Sequence, residues 1–270
     1  MTETFRLSLS GARLDLRLPP ASLDPSFARF KLHPSDPSTN GAVFTVAVEE
    51  DLSPPPAASA LTGCPLTLLD GNPGVIAFDS PVFRGRLDLP GRRGAFHQTP
   101  GSRAYRAGLQ ILLSHLLESR SRILVHGAGL VDGETAWLFA GPSGAGKSTV
   151  AELAGRPLLN DELCCVGIDG ESTPTLSGTP FGRCDLTGTF PLAGICWLEK
   201  SATDECEALP PAQALRLLLS QTVAGAGDPD HLSRLFRHTA DLVRRSPVYR
   251  LRFTRSRQFM DVMDATRKSL

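Results

Sequence analysis

No stretch of this 270-residue chain approaches the roughly 20 consecutive apolar residues that a membrane-spanning helix needs, so a transmembrane role is not expected. The start, MTETFRLSLSGARLDLRL, lacks the charged n-region and unbroken apolar run of a secretion signal, and a cytosolic location is expected. Excess charge is missing as well. Lysine plus arginine equals aspartate plus glutamate at 28 each, which removes any global attraction to polyanions or anionic membranes. The six cysteines (Cys64, Cys164, Cys165, Cys184, Cys196 and Cys206) include no C-x-x-C pair and no zinc spacing, so reduced, mostly buried thiols are expected. Internal repeats are absent, and the proline- and alanine-rich stretch at Asp51–Ala60 is the one biased tract.

What is present is an ordinary globular composition, 41% hydrophobic and 21% charged, in a length that suits one large domain or two small ones. Residues 4 to 19 alternate apolar and polar side chains on either side of Gly11-Ala12 and predict a hairpin. Ala42–Val48 predicts a further strand after the loop HPSDPSTNG, and CPLTLLDGNPGVIAF predicts two more around Asp70-Gly71. Residues 1–102 therefore read as a β-rich N-terminal region. From Ser102 the period changes: Tyr105, Leu109, Leu112, Leu113 and Leu116 recur at helical spacing, and a second domain over 103–270 is expected to begin with this helix. His115 within it reads as a polar or half-buried position.

Ile123–Val131 and Thr135–Ala140 predict two strands joined at Asp132-Gly133, a dipeptide favoured in type I′ turns. They lead into GPSGAGKST, residues 141–149. Gly141, Gly146, Lys147 and Ser148 satisfy G-x-x-x-x-G-K-[ST]. In that pattern glycines let backbone N–H groups face phosphate oxygens, lysine neutralises their charge and the hydroxyl ligates magnesium. The candidate nucleotide-binding residues are Gly141, Ser143, Gly144, Ala145, Gly146, Lys147, Ser148 and Thr149. An apolar strand precedes the loop and a helix follows it, the context in which this pattern binds anions.

A carboxylate pair arrives unusually soon afterwards. Arg156-Pro157 stops the helix, Leu158-Leu159 leads to Asp161-Glu162, and CCVGI predicts a buried strand. Phosphoryl transfer to a hydroxyl needs a proton acceptor and magnesium, and adjacent carboxylates can divide those tasks. The plain alternative is that the two acids cap a turn. No LSGGQ segment accompanies them, which separates the chain from transport ATPases. His126, at the end of ILVH, either is structural or tunes a neighbouring acid.

Histidine-glycine, hairpin, GxSGxGKS, short helix, Leu-Leu and acid pair, in that order, resemble the C-terminal catalytic domain of bacterial HPr kinase/phosphorylase. The likeness is greater still to the HPr-kinase-related serine kinases, whose core is shared with phosphoenolpyruvate carboxykinase. It is specific over 123–168 and looser over SGTPFGRCDLTGTFPLAGICWLEK. The resemblance implies an α/β fold with a P-loop core and a mixed sheet, ATP and Mg2+ as ligands, and γ-phosphoryl transfer to a hydroxyl, serine first, of a protein, peptide or small molecule. It makes Asp161 the catalytic base, His126 a support for the acid, Arg183 a charge facing the transferring group, and Ser148 and Glu162 the metal ligands. Two departures stand out: the family has Asp-Asp where this chain has Asp161-Glu162, and its helix after the loop is longer. The segment tied to phosphorylase activity has no good copy here. Related kinases form rings, which makes a homo-oligomer a further implication.

Two other classes stay open. One is a nucleotide-binding regulatory module without phosphotransfer. The other is nucleic-acid binding through Arg244, Arg245, Arg250, Arg252, Arg255 and Arg257. It is disfavoured because Arg250 and Arg252 fall on the strand face opposite Leu251 and Phe253, with no aromatics interleaved for base stacking.

Overall fold

The structure, a computed structural model, describes residues 2–31, 42–53, 67–69, 74–170, 172–225 and 228–268. It is mixed α/β, with two mixed sheets. The chain divides into two compact units, Met1–Leu116 with Gly225–Pro229, and Leu117–Ala224 with Asp230–Leu270. The expected boundary at 102/103 precedes the first helix, whereas the units divide near that helix's end.

The first unit carries a seven-stranded sheet. Its strands are β1 (Glu3–Leu9), β2 (Ala12–Leu18), β3 (Val43–Glu49), β4 (Thr67–Leu69), β5 (Val75–Ser80), β6 (Phe83–Asp88) and β7 (Arg93–Gln98). The order across the sheet is β1-β2-β3-β7-β6-β5-β4. β1 and β2 form the predicted hairpin, and Ser10 and Gly11 both take positive φ in its turn. Alternation fixes the register: Leu14, Leu16, Phe44, Val46, Phe78, Leu87 and Phe96 turn inward and are almost completely buried. The predicted helix is α1 (Tyr105–Glu118), and His115 within it is buried at 8% exposure rather than half-buried. The loop at 33–41, most of the proline/alanine tract, Asp70-Gly71 and Cys64 lie outside the described residues.

The second unit is built on β8 (Arg122–Asp132), β9 (Thr135–Ala140), α2 (Lys147–Leu153), β10 (Leu158–Asn160), β11 (Leu163–Gly167) and β12 (Thr175–Gly178). It continues with β13 (Thr189–Lys200), β14 (Glu205–Ala208), α3 (Pro211–Leu219), α4 (Pro229–Arg245), β15 (Val248–Phe253) and α5 (Phe259–Lys268). Proline occupies the first position of both α3 and α4, as their sequences predict. The sheet runs β10-β8-β11-β12-β13-β15-β14, with β9 between β8 and β13 off that path. β9 and β15 lie parallel to β13, and every other pairing in this sheet is antiparallel. The turn between β8 and β9 differs from expectation. Its central residues are Gly133 and Glu134, and only Gly133 has positive φ, which suits type II′ rather than the type I′ turn suggested by Asp132-Gly133.

Two apolar clusters hold this unit. One gathers Val125, Leu138, Leu159, Val166, Leu176 and Ile195 with residues of α3 and α4. The other gathers Phe139, Val150, Leu251, Phe253 and Phe259 around α2 and α5. Burying Val/Leu/Ile/Phe side chains contributes about 1.5–3 kcal/mol each, so this packing, rather than propensity, keeps the short α2 helical. The described cysteines are free, and Cys164, Cys165 and Cys196 are buried. Among the described residues no helix is long and apolar enough to cross a membrane.

Candidate functional site

The long strand β8 changes partners on both edges at one place, His126-Gly127. Along one edge Val223 N–H donates to the Leu124 carbonyl and His126 N–H to the Gln221 carbonyl, before β9 takes over with Gly127 opposite Ala140. Along the other, β11 pairs up to Leu163 opposite His126, before β10 takes over with Asn160 opposite Gly129. Two connections leave the sheet at this junction. The Gly141–Gly146 loop departs after Ala140, and the Asp161-Glu162 corner joins β10 to β11. With β8 alone between them, their points of departure are roughly 10 Å apart, two strand spacings. Gly127 touches both sides, because it pairs with Ala140 while its N–H donates to the Glu162 carbonyl at 3.1 Å.

The loop is compact. Ala145 N–H donates to the Pro142 carbonyl at 3.1 Å, and Gly144 and Gly146 have φ of +79° and +110°, which only glycine adopts without strain. Gly146 also allows close packing, since a Cβ on it would lie 2.5 Å from Cζ of Phe253. Lys147 folds back along the loop and donates from Nζ to the carbonyls of Gly141 at 2.7 Å and Pro142 at 3.0 Å. An ammonium has three donors, so one remains for a ligand. Burial holds the Lys147 amine below its ordinary range. Ser143, Gly144 and Ser148 are exposed, Thr149 is half-buried, and Ala145 is buried.

Across β8, Asp161 is half-buried and gripped by Arg183. The Arg183 main-chain N–H donates to Oδ1 at 2.8 Å and its Nε to Oδ2 at 2.7 Å. The guanidinium is held charged first by this hydrogen bond and then by Asp161's charge, with Glu152 on α2 and Asp185 adding to the attraction. The Arg183 side chain is largely exposed beyond its contact with Asp161, while the Thr179–Arg183 backbone is anchored. That backbone is tied at both ends: the Asn160 amide donates to the Thr179 carbonyl, and Leu158 and Asp185 exchange two hydrogen bonds.

His126 sits between the two halves. Burial lowers its pKa, contact with the main chain and the charge of Glu162 opposes that, and Lys147 pushes it down again. It therefore neighbours Glu162, whereas Asp161 is the acid that Arg183 holds. The structure thus gathers His126, Lys147 and Glu162 at the junction and joins Arg183 to Asp161. Sequence reasoning missed Asn160, Thr179, Gly182 and Phe253. Asn160 carried a faint signal, since asparagine before an acid pair is a turn former.

Two other groups of charges bear on ligands. In the first unit one donor atom each from Glu49, Asp51 and His97 falls within 4.8 Å, with His97 Nδ1 2.9 Å from Asp51 Oδ2. This largely exposed group is explained by the hydrogen bond between His97 Nδ1 and Asp51 on the sheet surface, and the positive charge of Arg84, felt at Asp51, opposes a cation there. On the β13–β15–β14 surface, Arg250 and Arg252 are met by Glu199, Glu205 and Glu207. Two guanidiniums facing three carboxylates give that face no basic excess. No protein-family model matches the chain and no curated protein matches it significantly, so the reading of the site rests on its own motif and geometry.

Proposed function

We propose that the chain is an ATP-dependent kinase, with a P-loop core of the HPr kinase/phosphoenolpyruvate carboxykinase type, that moves the γ-phosphoryl group to a hydroxyl of a protein, peptide or small molecule. The observation that carries this reading is the junction on β8. There a GPSGAGKST loop and an acid pair leave the sheet on opposite edges at one level, with His126 between them. The separation of roughly two strand spacings suits a phosphoryl group bridging from the loop to an acceptor beside Asp161.

The chain's own groups divide the work. Loop N–H groups and the free donor of Lys147 bind the β- and γ-phosphates. The Arg183 guanidinium turns from Asp161 to the γ-phosphate, which frees Oδ2 while the Arg183 N–H keeps Oδ1 in place. Oδ2 then accepts the acceptor's hydroxyl proton as that oxygen forms its bond to phosphorus and the bond to the β-phosphate oxygen breaks. His126, neutral through burial, orients the Glu162 side of the corner. The exposed hydroxyl of Ser148 and the exposed carboxylate of Glu162 are hard oxygen donors that fit Mg2+. When bound, that ion spreads the charge of the transferring group.

One observation favours a second reading, a nucleotide-binding regulatory module: both Asp161 oxygens are already occupied. Radiolabelled ATP separates the two. Transfer to serine-containing peptides, lost in Lys147→Ala and Asp161→Asn, is the expected result. Tight MgATP binding with no transfer to any acceptor would overturn the kinase.

A further inference from the structure

Asp161 and Glu162 do not set their own positions. The residue before them, Asn160, is completely buried, and its amide is used at both ends. Oδ1 accepts the N–H groups of Glu162 at 2.8 Å and Leu163 at 2.7 Å, folding the chain into an Asx-type turn at the end of β10. Nδ2 donates to the Thr179 carbonyl at 2.8 Å, a strut from the acid corner to the loop that follows β12. Thr179 strengthens the far end, since its hydroxyl donates to the Leu163 carbonyl at 2.6 Å. Gly182 brings the loop into direct contact. At φ +151° it has no side chain where a Cβ would stand 2.7 Å from Asn160 Oδ1 and 2.8 Å from Asp161 Oδ1.

We propose that Asn160 is a positioning residue of the phosphotransfer site. Its amide fixes Asp161 and Glu162 against the Thr179–Arg183 loop, and so sets where the base and the candidate metal ligand stand relative to the phosphates. This rests on the kinase reading. Asn160 touches no reacting atom and acts through its neighbours. The arrangement needs one acceptor able to take two N–H groups and, on the same planar group, a donor aimed the opposite way, which an amide provides. Aspartate keeps the acceptor but sets an anionic oxygen against the Thr179 carbonyl and makes three successive carboxylates. Alanine keeps neither end and strands the buried Leu163 N–H along with the part-buried Glu162 N–H.

The test compares Asn160→Ala and the near-isosteric Asn160→Asp with the wild-type chain, reading affinity for ATP without magnesium, phosphoryl transfer to a serine peptide, and amide hydrogen exchange at Arg183. The Arg183 N–H bonds to Asp161 and not to Asn160, so its protection reports the placement of the base. Affinity for ATP without magnesium should stay within about threefold, because the 141–149 loop is untouched, while transfer falls about a hundredfold in Asn160→Ala and less in Asn160→Asp. Exchange at Arg183 N–H should quicken about tenfold or more in Asn160→Ala. Unchanged Arg183 exchange in either folded variant, or transfer and magnesium-free ATP affinity falling together, would overturn the inference. If Asn160→Ala does not fold, Asn160→Asp carries the comparison. If the wild-type chain transfers nothing, the kinase reading falls, and Arg183 exchange still decides whether Asn160 places Asp161.

Discussion

Gly146→Ala should unseat the Gly141–Gly146 loop by a mechanical route that can be measured apart from any contact with nucleotide. Two costs arise at this residue. Its φ of +110° strains any residue with a Cβ, at about 1–3 kcal/mol. The new methyl would also lie 2.5 Å from Cζ of Phe253, where carbon atoms rest at about 3.5–4.0 Å, so the ring must retreat by about 1 Å or more. That ring is 3% exposed and packs edge-on against Phe259 at 5.7 Å, which leaves it little room. Overpacking of this kind costs about 1–3 kcal/mol, giving a total of about 2–6 kcal/mol and a fall in Tm on the order of 10 °C. The assay is a double-mutant cycle by urea unfolding with Phe253→Leu, which withdraws the ring edge yet keeps apolar volume. In the Phe253→Leu background Gly146→Ala should cost only the dihedral part, so the two changes couple by about 1–3 kcal/mol. Binding of a fluorescent ATP analogue should be lost in Gly146→Ala and partly restored in the double variant. Additivity within about 0.5 kcal/mol would refute the account of Phe253 as the floor of the loop.

Acidification gives a second expectation. Because burial lowers the His126 pKa below its ordinary 6.5, the unfolded chain takes up a proton at a higher pH than the folded one. Stability should therefore be unaffected by His126 well above 6.5 and decline as pH falls below it, until the folded imidazole also charges. Urea midpoints of wild type and His126→Gln between neutral and mildly acidic pH should diverge on the acid side; parallel curves would contradict this. Arg252, about one-third exposed and facing three glutamates, should matter little: Arg252→Ala is expected to cost about 1 kcal/mol or less in dilute salt and still less in molar salt. A salt-independent loss of several kcal/mol, read by the same unfolding assay, would mean that the charges on this face are not solvent-screened.

The parts of the site that could be read from sequence are those written locally. GPSGAGKST is contiguous, the acid pair follows a proline stop, and the hairpin feeding the loop shows its period in Ile123–Ala140. Phe253 could be read as an inward strand residue, but its place beneath Gly146 depends on the parallel register of β15 on β13, which joins distant segments. The partner of His126 was hidden for a similar reason. Antiparallel pairing of β11 on β8 puts Leu163 opposite His126 and brings Glu162 to the imidazole, while Asp161 turns to Arg183. In the first unit β6 and β7 went unmarked within a region read only as β-rich, since Gly85 interrupts the inward row of Phe83 and Leu87. The α1 helix was clear in its pattern, yet the division of the units near Leu116 follows packing that no local period records.

Because one strand separates the two departing segments, it serves as the ruler of the site. A single-residue insertion or deletion within Arg122–Asp132 would shift the pairing beyond it by about 3.3 Å and turn the following side chains to the opposite face. Lengthening either departing segment would leave that spacing intact. Changes of length are therefore better accommodated in the excursions than in the strand between them.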